Sequence, residues 1–224
     1  MDFRLILLEP GRFLEGDAAR MRAGNLALFL LGFSLIFWLL HGLDFYAFGN
    51  SKIGYLIDMP SGKIGPPKYD ILAVSLRAGF NAAVVRLLAV VALAAFTHLP
   101  MRLLGSKARF KDVFAPAAVL LVFPAIITSF SVGLNLLSYL ILGNVSVLNS
   151  SVTAVAGWLT YSILFAGAVR KTSGLTGWRG NIAVLPVAGF ALLWVAWSCA
   201  AVWFNLVFIG RISESSLNGL IGGI

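Results

Sequence analysis

Between Asp112 and Arg170 the chain carries no Asp, Glu, Lys or Arg. A water-facing surface cannot be covered without charge over so long a run, so lipid must solvate most of it. One crossing takes about 20 residues for roughly 30 Å of hydrocarbon. The run therefore suits two crossings, over about 114–137 and 152–169, joined by the polar turn GNVSVLNSS at 143–151. The rest of the chain agrees. Of 224 residues, 59% are hydrophobic and 12% charged, against about half and a quarter in soluble domains.

Charges punctuate the remaining spans. Nothing from Ala23 to Leu43 is ionised at neutral pH, and Asp44 ends that run, with Trp38 and Tyr46 placed for an interfacial aromatic belt. Too few residues separate Arg86 from Arg102 for a crossing, so the second span is placed over about 82–103, with residues 70–81 as a helical lead-in lying at the interface. A fifth span runs over about 183–207, rich in tryptophan and longer than a crossing requires. The expected fold is an all-α polytopic integral membrane protein of five transmembrane helices.

Residues 44–70 read as an outer loop. Met59-Pro60-Ser61-Gly62 is good turn chemistry, which admits either a small hairpin or an irregular ordered loop. The segment 1–22 reads as a cytoplasmic amphipathic helix at the interface, starting after Pro10, with Phe13, Leu14 and Met21 against lipid and arginines at the headgroups. Its run Leu5–Leu8 leads into Glu9 and Pro10 instead of a small-residue cleavage site, so the segment near Gly24 is expected to act as an uncleaved signal anchor. The tail from Arg211 is short, rich in Gly and Ser, and expected to fray.

Orientation follows from the basic residues. With five spans, the segment before span 1 and the loops 102–112 and 170–179 share one side and hold eleven Lys and Arg, against six on the other. The positive-inside rule then puts the amino terminus in the cytoplasm and the carboxyl terminus outside. The net charge of +8 is gathered between apolar segments, where anionic lipids on the cytoplasmic face would meet it. No basic run interleaved with aromatics suggests nucleic acid.

Few residues suggest chemistry. Arg86 is the one charge expected inside a span, where an ionisable group costs roughly 3 kcal/mol at mid-bilayer and is a functional candidate. Two readings stand: an anchor that snorkels to the outer edge, or a functional residue paired with Asp44 or Asp70. In span 3, Thr128, Ser131, Asn135 and Ser138 recur at i, i+3, i+7 and i+10, one face of a helix. Pro124 shares that face and should bend the helix. The stripe either makes interhelical hydrogen bonds of about 1 kcal/mol each or lines a groove for a solute or lipid. Ser198 and Asn205 in span 5, and Thr153, Gly157 and Thr160 in span 4, read as packing positions. Cys199, the only cysteine, reads as a small buried hydrophobe. His41 and His98 fall near opposite span ends and cannot share a metal. No catalytic constellation, cofactor motif or metal-ligand spacing is present, so no enzyme is expected.

The stretch LGSKARFKDVFAPAAVLLVFPAII at 104–127 resembles the inter-span loop and third span of the Yip family, with Gly105 at the position of its glycine pair and Pro124 as its central proline. LLEPGRFLE at 7–15 is similar to the approach to span 1 in its bacterial members. Yip proteins are five-span membrane proteins, first known as partners of Rab-type GTPases, with prokaryotic relatives. The resemblance implies a non-enzymatic scaffold or accessory subunit in membrane trafficking or organisation, working with a membrane-protein partner or as a homo-oligomer. It carries no catalytic residues. The composition points to a bacterial inner membrane, with a eukaryotic endomembrane as the alternative. The competing expectation is a transporter or channel component that uses Arg86 and the polar face of span 3.

Overall fold

The computed structural model describes residues 23–57, 71–142 and 147–221, which are helical apart from short turns and contain no strand. Six helices follow one another: α1 (Ala23–Ile57), α2 (Ile71–Leu103), α3 (Phe110–Val119), α4 (Val122–Leu142), α5 (Val147–Ser173) and α6 (Gly177–Ile221). Five segments are long and apolar enough to cross a membrane: Gly24–Asp44, Leu72–Leu103, Phe110–Ser138, Val152–Ser173 and Gly177–Ala200. The protein thus has the architecture of an integral membrane protein. Helices are what such a sequence must form, because backbone groups in hydrocarbon find no water and must bond within their own segment.

The surface matches a lipid solvent. Leu28, Leu140, Ile163 and Leu193 are each at least 70% exposed, a pattern that water would not tolerate over so much of one surface. Cys199 is also exposed. It was expected inside, but its helix turns it outward, where a thiol serves as an apolar group against lipid.

Helix boundaries depart from the sequence expectation in four places. Asp44 does not end the first helix, which continues to Ile57; residues 44–57 are therefore neither loop nor hairpin strand. The charge is tolerated in mid-helix because Asn135 of α4 donates to it, Nδ2 to Oδ1 at 3.1 Å. The lead-in 71–81 is one helix with the span that follows. Residues 147–151, expected in a turn, open α5, and the segment from Arg211, expected to fray, continues α6 as far as Ile221. The amphipathic segment 1–22, the turn Met59–Gly62, Asp70 and residues 143–146 lie outside the described residues.

The expected third span is two helices. Pro124 has no N–H to offer the carbonyl of Leu120, four residues earlier, and its ring crowds that oxygen. The Leu120 carbonyl instead accepts from Phe123 N at 3.1 Å, and the helix breaks at Leu120–Leu121. This break organises the bundle. Before it, α3 packs against α1, α2 and α5, and Ala115, Ala117, Ala118 and Val119 are wholly buried. Beyond it, α4 moves to the rim between α1 and α5, with Ile126, Phe130 and Leu140 exposed. The pairs α1/α2 and α5/α6 enclose this central piece, and α2 packs on α6.

Small groups set the close contacts. At the α1/α2 crossing a Cβ on Gly79 would collide with the Trp38 carbonyl oxygen and lie 2.7 Å from Trp38 Cδ1. At the α4/α5 crossing a Cβ on Gly157 would lie 3.3 Å from Pro124 Cα. Buried Tyr161 donates its hydroxyl to the Ala117 carbonyl at 2.9 Å, fixing α5 to α3. At the end of α2, Gly105 (φ +91) closes a Schellman turn: its N–H bonds Arg102 O at 3.1 Å, and Ser106 N bonds Met101 O at 2.9 Å. Ser106 Oγ then donates to Ser173 O at 2.7 Å, clasping the α2–α3 turn to the end of α5.

The α1/α2 crossing yields a matched pair of tests. Gly79→Ala should cost about 1–3 kcal/mol through overpacking against backbone. Gly42→Ala, whose Cβ would meet Ser75 O at an ordinary 3.5 Å, should stay near neutral. Thermal unfolding in detergent measures both, and equal losses would refute this account of the crossing.

Candidate functional site: a polar cavity beyond the helix break

Phe37, His41 and Asp44 lie at i, i+4 and i+7 on α1, on one face of the helix. Arg86 of α2 reaches that face. Its guanidinium carbon sits 4.7 Å from the centre of the Phe37 ring. One Nη donates to the Ala82 carbonyl at 3.0 Å, and the other lies 2.6 Å from His41 Nε2. A guanidinium only donates, so Nε2 must be the acceptor. His41 is therefore neutral in this arrangement, with its proton on Nδ1.

His41 is seventeen positions from Gly24, and Arg86 is seventeen from Leu103. Both are thus about 26 Å along their helices from the end of the molecule that carries the basic turns. With hydrocarbon roughly 30 Å thick, the pair sits in the far part of the membrane domain. Of the two sequence readings of Arg86, the snorkelling anchor would point its head out to water. In the structure the head is spread over Phe37 and bonded inward to His41, and its Nε is buried without a hydrogen-bond partner. No carboxylate lies within ion-pair distance of it among the described residues; the ion pair there, Arg109 with Asp112, belongs to the opposite end.

These groups line a cavity of about 80 Å³ where the bundle axis continues past the end of α3. His41 and Asp44 come from α1 and Arg86 from α2; α4 supplies Pro124, Thr128, Ser131 and Val132, and α5 and α6 complete the wall with Thr153, Gly157, Trp158 and Trp194. Its origin is the break at Leu120–Leu121, since α4 leaves the axis that α3 had filled. The proline that causes the break forms part of the wall. The two tryptophans stack at 4.9 Å between ring centres, and Trp158 meets Tyr161 edge-on at 5.3 Å, so that side of the cavity is a packed aromatic wall.

The stripe expected on span 3 divides. Thr128 and Ser131 line the cavity. Asn135 is buried and holds Asp44. Ser138 and Gly105 are not among the lining residues; Gly105 belongs to the turn at the basic end. Ser129, off this face, donates back to Ala125 O at 2.9 Å and so needs no other partner. Thr160 does the same with Ala156 O, whereas Thr153, expected to serve packing, lines the cavity. Sequence reasoning treated His41 as a span-end residue and did not single out Trp158 or Trp194. The spacing of Phe37, His41 and Asp44 was the available signal, a polar face on span 1 to match the one on span 3.

The arrangement offers a fixed cation, a carboxylate, a neutral imidazole, hydroxyls and indole faces in one small enclosure. No group of three potential metal ligands exists among the described residues. Comparison of the chain with protein-family models, curated proteins and solved structures finds no match.

Asn135→Leu should remove one hydrogen bond from the Asp44 carboxylate. The expected loss is about 1.5–3 kcal/mol, the range for hydrogen bonds to charged groups, read as a lower unfolding temperature. Asn135→Asp should be worse still, since it sets two carboxylates together.

Proposed function

We propose that the chain is a non-enzymatic integral membrane protein that binds a small polar ligand in the cavity around Arg86, as a solute-binding or transport component. One observation carries this reading: a guanidinium within the membrane domain faces a polar cavity, and no carboxylate among the described residues lies within ion-pair distance of it. An uncompensated buried charge is costly, and an intramembrane arginine whose role was anchoring would be directed to the headgroups. The cavity is far below the roughly 300–1,000 Å³ of sites for drug-sized ligands, so the occupant is small. The distribution of Lys and Arg supports an orientation with the basic turns in the cytoplasm. The cavity then belongs to the outer half of the bundle, and the composition favours a bacterial inner membrane.

A second reading has an observation of its own. α6 runs unbroken for 45 residues, from Gly177 to Ile221, past the apolar run that Arg211 ends, and a helix longer than a crossing requires suits an accessory subunit docked on a partner. The Yip-like layout supports the same reading. Native mass spectrometry of gently solubilised material separates the two: a protein partner at fixed stoichiometry supports the subunit, and a lone chain retaining a small molecule supports the binding bundle.

Ligand binding should show in thermal unfolding. A ligand at a hundredfold excess over its Kd stabilises the folded state by about 2.7 kcal/mol, and tryptophan fluorescence should change because Trp158 and Trp194 line the cavity. Across a panel of small polar solutes and ions, at least one should stabilise the wild-type protein and fail to stabilise Arg86→Gln. A panel without effect on correctly folded protein defeats the proposal.

A further inference from the structure

Seven Lys and Arg stand in the two connections 102–112 and 170–179, against one acid, Asp112. The segment 1–22, ahead of α1, carries four acids and four bases and so adds no net charge to this end. The fold ties the two connections together. Ser106 Oγ donates to Ser173 O at 2.7 Å, and Ser173 Oγ accepts from Leu175 N at 3.3 Å, which sets the α2–α3 and α5–α6 turns side by side. Gly105, Gly174 and Gly177 have no atom within 4 Å of where a Cβ would stand, so the turns are uncovered at those points.

Some of these cations are already engaged. Arg109 pairs with Asp112, and Arg170 donates to Asn181 Oδ1. Arg102, Lys107 and Arg179 are exposed, and no hydrogen bond or ion pair among the described residues occupies them. What stands beside them narrows the counter-charge. Leu103, 80% exposed, follows Arg102, and Trp178, 62% exposed, precedes Arg179. The Arg179 guanidinium carbon lies 5.6 Å from the indole centre, a cation–π contact that leaves its N–H edges open to an oxyanion. A nucleic acid or an acidic peptide would match the cations and leave Leu103 and Trp178 in water. A molecule whose phosphate is joined directly to hydrocarbon covers both kinds of group.

We infer that the joined α2–α3 and α5–α6 turns form a binding site for an anionic phospholipid, whose phosphodiester meets Lys107 and Arg179 and whose glycerol and acyl chains lie on Leu103 and Trp178. Arginine supplies a fork that matches two phosphate oxygens, and lysine adds a point charge. The indole serves as an interfacial anchor at the same depth. The Ser106–Ser173 clasp holds the two turns in register, so the site is fixed by the fold and is more than a diffuse positive surface. It lies at the opposite end of the bundle from the cavity and is independent of the ligand proposed there.

The test places the full chain in nanodiscs of equal parts phosphatidylglycerol and phosphatidylcholine and counts the lipids that stay on the released protein by native mass spectrometry. Phosphatidylglycerol should be retained about tenfold over phosphatidylcholine. Lys107→Gln and Arg179→Gln together should remove most of that preference, whereas Arg77→Gln, an exposed cation near the other end of α2, should keep it. Trp178→Ala changes no charge and should still reduce retention, because the apolar half of the site is lost. The substituted side chains are exposed, and an unchanged unfolding temperature in detergent confirms that each variant folds. Equal retention of the two lipids by the wild-type protein would overturn the inference. Equal losses at the two ends of α2, or full retention in Trp178→Ala, would overturn it in favour of diffuse surface charge. Displacement of the lipid by polyglutamate would overturn it in favour of a soluble acidic partner.

Discussion

A missing N–H at Pro124 shapes the whole bundle. Because the Leu120 carbonyl cannot receive its ordinary partner, the central segment divides into a buried piece and a rim piece. The buried piece, α3, is narrow, with Ala115, Ala117 and Ala118 against its neighbours, and it closes the basic half of the molecule. The rim piece, α4, frees the axis of the other half. A solid half and a half with a polar enclosure thus arise from one imino acid, and the enclosure stands on the floor that the break creates.

Arg86 is legible only in that setting. In a straight bundle an arginine at this depth would have hydrocarbon on every side, and its cost would push it out toward the headgroups. Here the Phe37 ring, the Ala82 carbonyl and a neutral imidazole make a bed for the guanidinium. The bed orients the charge without cancelling it. The binding role proposed above rests on that combination, which an ion pair would not provide.

How much of this could be read from the chain depended on the range of the interaction concerned. The number of crossings was legible, since charged residues rarely lie within them and the runs between charges have the right lengths. The face of Thr128, Ser131 and Asn135 was legible too, from helical period alone. Asp44 misled because the group that makes it tolerable in mid-helix, Asn135, is 91 residues away; a local reading takes such a carboxylate as a stop. Pro124 was recognised as a bend, but a bend and a full break differ in what lies around them, which the local sequence does not encode. Cys199 was assigned inside on apolarity alone, yet in lipid apolarity marks the outside as readily as the core.

The central position of α3 and α4 also bears on how the protein is made. Their segment is the most buried of the five crossings, and yet it emerges third from the ribosome. α1 and α2 can pair as soon as both are inserted, because their shared surface needs no later element. α3 and α4 then enter the bilayer with Thr128, Ser131 and the Ala117 carbonyl facing lipid or transient water, since Tyr161 and the rest of α5 have yet to follow. The half-made protein is therefore a species with an uncovered polar flank, and only synthesis of the final hairpin, α5 with α6, shuts it. Closure of that flank therefore waits on α5, whatever the hydropathy of the helices inserted before it.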